Sequence, residues 1–330
     1  MKVATIGSGV IVDRMIDAMK QTDGIEVVAV YSRTVEKASR YAAKHQIGKY
    51  YSQLDQMLED DEIDTIYVAS PNSLHYEQSK KALQAKKNVI CEKPFTPTLK
   101  EATELFDLAQ EMNCYIFEAI TTIHLPNYQI IKDHLKDTGS IKLVQCNFSQ
   151  FSSRYDKYKN HEVTNVFDPA FNGGALMDIN VYCLHFVTGL FGKPASMEYK
   201  ANQGFNGIDT SGVIFLTYPD KLVICVGAKD SSSPNEVFIQ GDQGTIRVYG
   251  SSCGVCRHVQ FLPLKGDMIG KKDEQTALEL GIDQLPHMIY ECQTFEHIVK
   301  NNDTKEYQRL CDQTKLVVSL LEEAQAQLKV

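Results

Sequence analysis

The stretch Gly173-Gly174-Ala175-Leu176-Met177-Asp178-Ile179-Asn180-Val181-Tyr182-Cys183-Leu184-His185 carries the densest chemistry in the chain. Two glycines permit close approach where a helix begins, and Asp178, Tyr182 and His185, at i, i+4 and i+7, fall on one helical face. Titratable groups among Ile, Val and Leu are costly to bury unless they pair with one another or face a pocket. A carboxylate, a phenol and an imidazole on one face suit proton transfer to or from a substrate hydroxyl. An interfacial helix whose polar residues are satisfied internally would show the same pattern.

Three further groups sit where strands hand over to helices. Gly7-Ser8-Gly9 separates a short apolar run from a helical one, so its missing side chains let a backbone turn approach a pyrophosphate at a helix N-terminus, with Val10 and Ile11 next in the turn. Val12 occupies the third glycine position of the dinucleotide fingerprint. The second strand ends in Val30-Tyr31-Ser32-Arg33-Thr34, without the acid that binds ribose hydroxyls in NAD sites. Ser32 and Arg33 instead suit a 2′-phosphate, which predicts NADP, with NAD as the alternative if Arg33 is only a solvated turn residue. Ser70-Pro71-Asn72-Ser73-Leu74-His75 and Glu92-Lys93-Pro94 end two later strands, and ligands of open parallel sheets lie beyond such ends. There Lys93 is either a rigidly placed cation beside a nicotinamide or a surface charge.

The elements that must position these residues change rhythm once. Up to about residue 120 short β-branched runs alternate with helical spacing, which predicts right-handed βαβ crossovers and a parallel sheet. Beyond it the apolar runs at 141–151, 195–201, 212–217, 222–228, 237–241 and 244–249 follow one another with polar turns. These suit a large, mainly antiparallel, open-faced sheet covered on one side by helices near 127–136, 175–190, 286–301 and 307–328. The expected organisation is an α/β N-terminal dinucleotide-binding domain, 1–120, and a C-terminal α+β domain for substrate and self-association, 121–330.

The composition restricts the partners. With 34 Lys and Arg against 42 Asp and Glu, a formal charge of -8, the chain has no long-range attraction for nucleic acid or anionic lipid, and its cations are scattered. A small-molecule substrate is therefore expected. No apolar run is expected to span a membrane, and the opening residues lack the apolar length of a secretory leader. Nine cysteines, odd in number and irregular in spacing, read as reduced thiols and predict a cytoplasmic setting. Cys253-Gly254-Val255-Cys256-Arg257-His258 resembles half a zinc site but lacks a second thiol pair nearby, so it reads as a turn and no metal is expected.

Taken together, Glu92-Lys93-Pro94 and the Gly-Gly-x-x-x-Asp helix resemble the Gfo/Idh/MocA family of glucose-fructose oxidoreductase and inositol dehydrogenase relatives, over essentially the whole chain. Tyr182, four residues after Asp178, is similar to the branch with dimeric dihydrodiol dehydrogenase and D-xylose dehydrogenase, as are Phe117-Glu118-Ala119-Ile120 and Pro126. The resemblance implies a Rossmann domain and a nicotinamide-dependent dehydrogenase or reductase acting on a secondary alcohol or ketone of a sugar, polyol or dihydrodiol. It implies that Lys93, Asp178 and Tyr182 are catalytic, Tyr182 as acid or base, Lys93 as its electrostatic activator and Asp178 as the orienting partner. His185, Asn180 and Lys93 are then expected at the substrate. Gly7, Gly9, Val10, Ile11, Ser32, Arg33, Ser70, Asn72, His75, Glu92, Lys93 and Glu118 are expected at the cofactor. Family habit also implies a homodimer or larger homo-oligomer. Where relatives often have tryptophan and arginine, this chain has Thr121 and Ile123. A non-catalytic dinucleotide sensor of the same fold is the rival reading, against which Lys93, Asp178 and Tyr182 argue, because a sensor needs none of them.

Overall fold

A computed structural model describes residues 1–264 and 277–328. The chain divides into two compact units, residues 1–119 with 285–319 and residues 120–284 with 320–330.

In the first unit, β1 (Lys2–Ile6), β2 (Glu26–Tyr31), β3 (Lys49–Tyr51), β4 (Thr65–Val68), β5 (Asn88–Glu92) and β6 (Ile116–Ala119) form one sheet in the order β3-β2-β1-β4-β5-β6. Every pairing is parallel. The helices α1 (Val10–Lys20), α2 (Val35–His45), α3 (Leu54–Leu58), α4 (His75–Gln84) and α5 (Leu99–Glu111) are the crossovers. The central strands read as unbroken apolar runs because both faces are covered: β4 and β6 are buried at every position. Local signals set the helix starts. Thr34 accepts the Lys37 N–H ahead of α2, and Thr98 does the same for Glu101 ahead of α5. The chain then returns to this unit with α9 (Met288–Asn301) and the first part of α10 (Thr304–Gln327). That corrects the expected two-domain division, in which everything after 120 was C-terminal. Phe295 of α9 stacks on Phe117 of β6 at 4.6 Å, and Tyr307 of α10 meets the same ring edge-on at 5.6 Å. The periodicity of 286–301 marks a helix; it carries no information about which sheet that helix covers.

The second unit is built on β7 (Ile141–Ser149), β8 (Ser196–Gln203), β9 (Asp209–Thr217), β10 (Leu222–Ala228), β11 (Val237–Gly241), β12 (Gly244–Tyr249), β13 (His258–Pro263) and β14 (Leu278–Glu279). Their order is β14-β13-β12-β11-β7-β10-β9-β8, and all pairs are antiparallel except β7 with β10. Alternation along these strands turns Val144, Cys146, Ile214, Leu216, Val223 and Cys225 inward, all buried. A π-helical turn, Leu176–Asn180, leads into α8 (Val181–Phe191), which lies across that inner face. The unit also contains α6 (Pro126–His134) and the short α7 (Tyr155–Lys159). The segment Pro169–Phe191 is long and apolar enough to cross a membrane, contrary to the expectation that no run would be. Its window is 72% buried inside the protein, so this apolarity is spent on the core.

Candidate functional site

At the C-terminal edge of the parallel sheet, Gly7 adopts φ +116°, and a Cβ there would lie 2.6 Å from the Ala69 carbonyl oxygen. Only glycine fits a turn so close to the end of β4. Gly9 precedes α1, no side chain caps that helix, and a Cβ on Gly9 would meet nothing within 4 Å. The α1 N–H groups therefore face open space, a cradle suited to a diphosphate. Val10 and Ile11 are 67% and 36% exposed in the same turn, whereas Val12 is fully buried in the core behind it. At the end of β2, Ser32 is half-buried with its N–H donating to the Tyr51 carbonyl, and Arg33 is exposed. Ser70 and Asn72 are half-buried after β4. These residues fit a dinucleotide, with the diphosphate at Gly7–Ile11 and the ribose end at Ser32–Arg33.

Lys93 is half-buried immediately after β5. The groups around it are occupied by the unit itself. Glu92, 7% exposed, accepts the Tyr67 hydroxyl at 2.5 Å and the Lys93 N–H at 3.3 Å. Burial raises its carboxyl above the ordinary value, although Tyr67 and Lys93 oppose the shift. Glu118 accepts the Phe95 N–H at 3.1 Å and the Thr314 hydroxyl at 2.9 Å. The His75 ring is fully buried with Nδ1 3.0 Å from the Pro94 carbonyl and Nε2 3.0 Å from the Ser70 carbonyl, and desolvation lowers its pKa. Glu92, Glu118 and His75, expected at the cofactor, hydrogen-bond to Lys93, Phe95 and Pro94, the residues that follow β5. A helix-first histidine and a strand-end glutamate look alike in sequence whether they point out of the sheet edge or back under it.

In the second unit, Gly174 has φ +103°, and a Cβ there would collide with Asp209. Asp209, 3% exposed, accepts the Leu176 N–H at 2.5 Å and the Tyr199 hydroxyl at 2.8 Å, so a buried carboxylate anchors the start of the helix. From 173 to 188 every residue is buried except Asp178 and Tyr182. The two are four apart, the first inside the π-helical turn and the second just beyond it, and such wide turns are frequent at functional sites. Tyr182 packs its ring against Phe148 at 5.5 Å and above Gly254, where a Cβ would lie 2.9 Å from the Tyr182 Cδ1. Lys229, whose side chain is 6% exposed, donates to Asp178 in a tight ion pair and sits 5.7 Å over the Phe167 ring. A buried ammonium demands such a partner, and here it holds the carboxylate at the helix's open side.

His185 and Asn180, expected at the substrate, are both fully buried. Asn180 lies against Gly227 of β10, where a Cβ would come within 2.6 Å of its amide. Both thus lie on the buried side of this segment, whereas Asp178 and Tyr182 lie on its accessible side. Thr121 is buried and donates to the Gly254 carbonyl at 2.7 Å, so it ties down the turn beneath Tyr182, and Ile123 packs near Gly189. The sequence reading missed Lys229 and Asp209. A lysine ending an apolar strand, Val223 to Lys229, was the available signal for the first; nothing local marks the second.

Residues 1–119 match the oxidoreductase family with an NAD-binding Rossmann fold, and residues 132–252 match the GFO/IDH/MocA C-terminal domain. The whole chain is 32% identical to scyllo-inositol 2-dehydrogenase (NADP(+)) IolU of Bacillus subtilis, over 98% of that protein. It is 32% identical to trans-1,2-dihydrobenzene-1,2-diol dehydrogenase of Danio rerio over 68% of this chain and 66% of that one. In fold it is similar to KijD10, a 3-ketoreductase of Actinomadura kijaniata solved with NADP and TDP-benzene, with TM-score 0.84 and 20% identity over 99% and 97% of the two chains.

Proposed function

This chain belongs to the GFO/IDH/MocA oxidoreductase family, and from that premise we propose that it oxidises a ring hydroxyl of a cyclic polyol, reversibly, with NADP as hydride acceptor. The observation that carries the site is the segment from 173 to 188, buried at every residue except Asp178 and Tyr182. When bound, the nicotinamide supplies the hydride acceptor. The residues that would hold the dinucleotide are Gly7, Gly9, Val10 and Ile11 at the diphosphate, Ser32 and Arg33 at the 2′-phosphate, and Ser70 and Asn72 beyond β4. Lys93 positions the substrate hydroxyl and stabilises negative charge on its oxygen. Tyr182 takes the hydroxyl proton in oxidation and returns it in reduction. Asp178, oriented by Lys229, holds that proton path in register.

The whole-length similarity to an inositol dehydrogenase favours a cyclic polyol over the dihydrodiols of the shorter matches. The reading includes a cytoplasmic location, consistent with nine buried free thiols among the described residues. It also includes a homodimer formed on the open sheet face. Following nicotinamide absorbance with NADP or NAD against inositols, aldoses and trans-dihydrodiols tests the assignment. Turnover of an inositol with NADP, at least tenfold more efficient than with NAD, is expected. Dinucleotide binding without turnover of any of the three classes would replace the enzyme by a sensor.

A further inference from the structure

Four of the five cysteines of the second unit come from separate elements and meet in its interior: Cys146 on β7, Cys183 on α8, Cys225 on β10 and Cys253 in the turn after β12. The sulfurs of Cys146, Cys183 and Cys253 all lie within 4.8 Å of one another, with Cys183 and Cys253 at 3.9 Å. Cys225 pairs in register with Cys146 on the neighbouring parallel strand, so both point to the same face. All four are at most 1% exposed. Cys256, the nearer partner by sequence, is not in the group: it donates to the Cys253 carbonyl at 3.1 Å and belongs to the turn.

Thiolates bond a small d¹⁰ cation at about 2.3 Å, which sets sulfurs about 4 Å apart around a trigonal ion and about 3.8 Å apart around a tetrahedral one. The observed 3.9 Å fits both arrangements, and is far longer than the S–S bond of about 2.05 Å in a disulfide. Soft thiolate sets select Zn²⁺ or Cu⁺ over harder cations. We propose that Cys146, Cys183 and Cys253 form a structural site for one soft d¹⁰ cation, Zn²⁺ or Cu⁺. Each ligating thiol releases its proton to solvent as its sulfur–metal bond forms, and no redox change is involved. Full burial means that the ion enters as the unit folds.

The site has a consequence for the helix described above. Cys183 follows Tyr182, and Cys253 precedes Gly254, the residue on which the Tyr182 ring rests. Thr121 and Asn127 already hold this turn, through the Gly254 carbonyl at 2.7 Å and the Cys256 carbonyl at 2.9 Å. A cation bridging Cys183 and Cys253 would fasten the turn to α8 from within.

Elemental analysis of the protein tests this, on tag-free material purified without chelator from cells grown with added zinc or added copper. One zinc or one copper per chain is expected, and the element found identifies the ion. Growth in cobalt-supplemented minimal medium is expected to give a thiolate-to-cobalt charge-transfer band, a readout that needs no variant. Cys183→Ser and Cys253→Ser should lose the metal and the band, whereas Cys114→Ser, a buried thiol of the first unit, should keep both. Less than a tenth of an equivalent of metal in wild type under all three growth conditions would overturn the site. So would a Cys183–Cys253 disulfide in its tryptic map.

Discussion

At the scale of single residues the proposed reading rests on Arg33 and Tyr182, and each is tested by removing one group. Arg33 is exposed at the end of β2, in a stretch, Val30 to Thr34, that contains no acid. If it clamps the 2′-phosphate, Arg33→Ala should weaken NADPH by about 1–3 kcal/mol, roughly 5- to 150-fold in Kd, and leave NADH nearly unchanged. Equal losses measured by fluorescence titration of the two reduced cofactors would remove Arg33 from the site. Glycines, the strand-end lysine and the Asp-x-x-x-Tyr pair were legible in sequence because chemistry and spacing coincide there. The inward turn of His185 and Asn180 was not, since an ideal helical wheel contains no π-helical turn.

At the scale of elements, α9 brings an unusual carboxylate into the first unit. Glu291 is 1% exposed, and neither of its side-chain oxygens has a hydrogen-bond partner among the described residues. Burial, and then the charge of Glu92, push its pKa well above the ordinary value of 4.5. The native state therefore keeps a proton that the unfolded chain releases above that value, and stability must fall as pH rises from there toward the folded pKa. Glu291→Gln keeps the shape and removes the titration. Its Tm should exceed that of wild type by about 2–4 °C at pH 8, the effect of about 1 kcal/mol, and the two should converge near pH 4. A variant less stable than wild type at pH 8 would show that the carboxylate is compensated. The alternation of strands and helices up to residue 120 made the parallel sheet readable, and period-two runs did the same for the second sheet. What sequence could not carry was the return of 285–319 to the first unit, because an amphipathic stripe specifies burial and not a partner.

At the scale of the whole molecule, the second sheet covers its inner face with α8 and turns Val213, Phe215, Leu222, Ile224, Val226 and Phe238 outward. Phe215 and Leu222 are 43% and 56% exposed, an apolar area that a monomer rarely leaves open. Light scattering at micromolar concentration should give at least twice the chain mass, and Phe215→Lys should shift it toward the monomer; a monomeric wild type would contradict the homodimer. The proposed reading gives the acid–base step to Tyr182 of the second unit. The most direct measurement is therefore steady-state oxidation of the best inositol substrate by wild type and Tyr182→Phe, with NADP affinity determined in parallel. Loss of the phenol oxygen alone should lower kcat by about 10²- to 10⁴-fold, the usual contribution of an acid–base group, and leave NADP binding within about twofold. A Tyr182→Phe enzyme turning over within a few-fold of wild type would contradict the account.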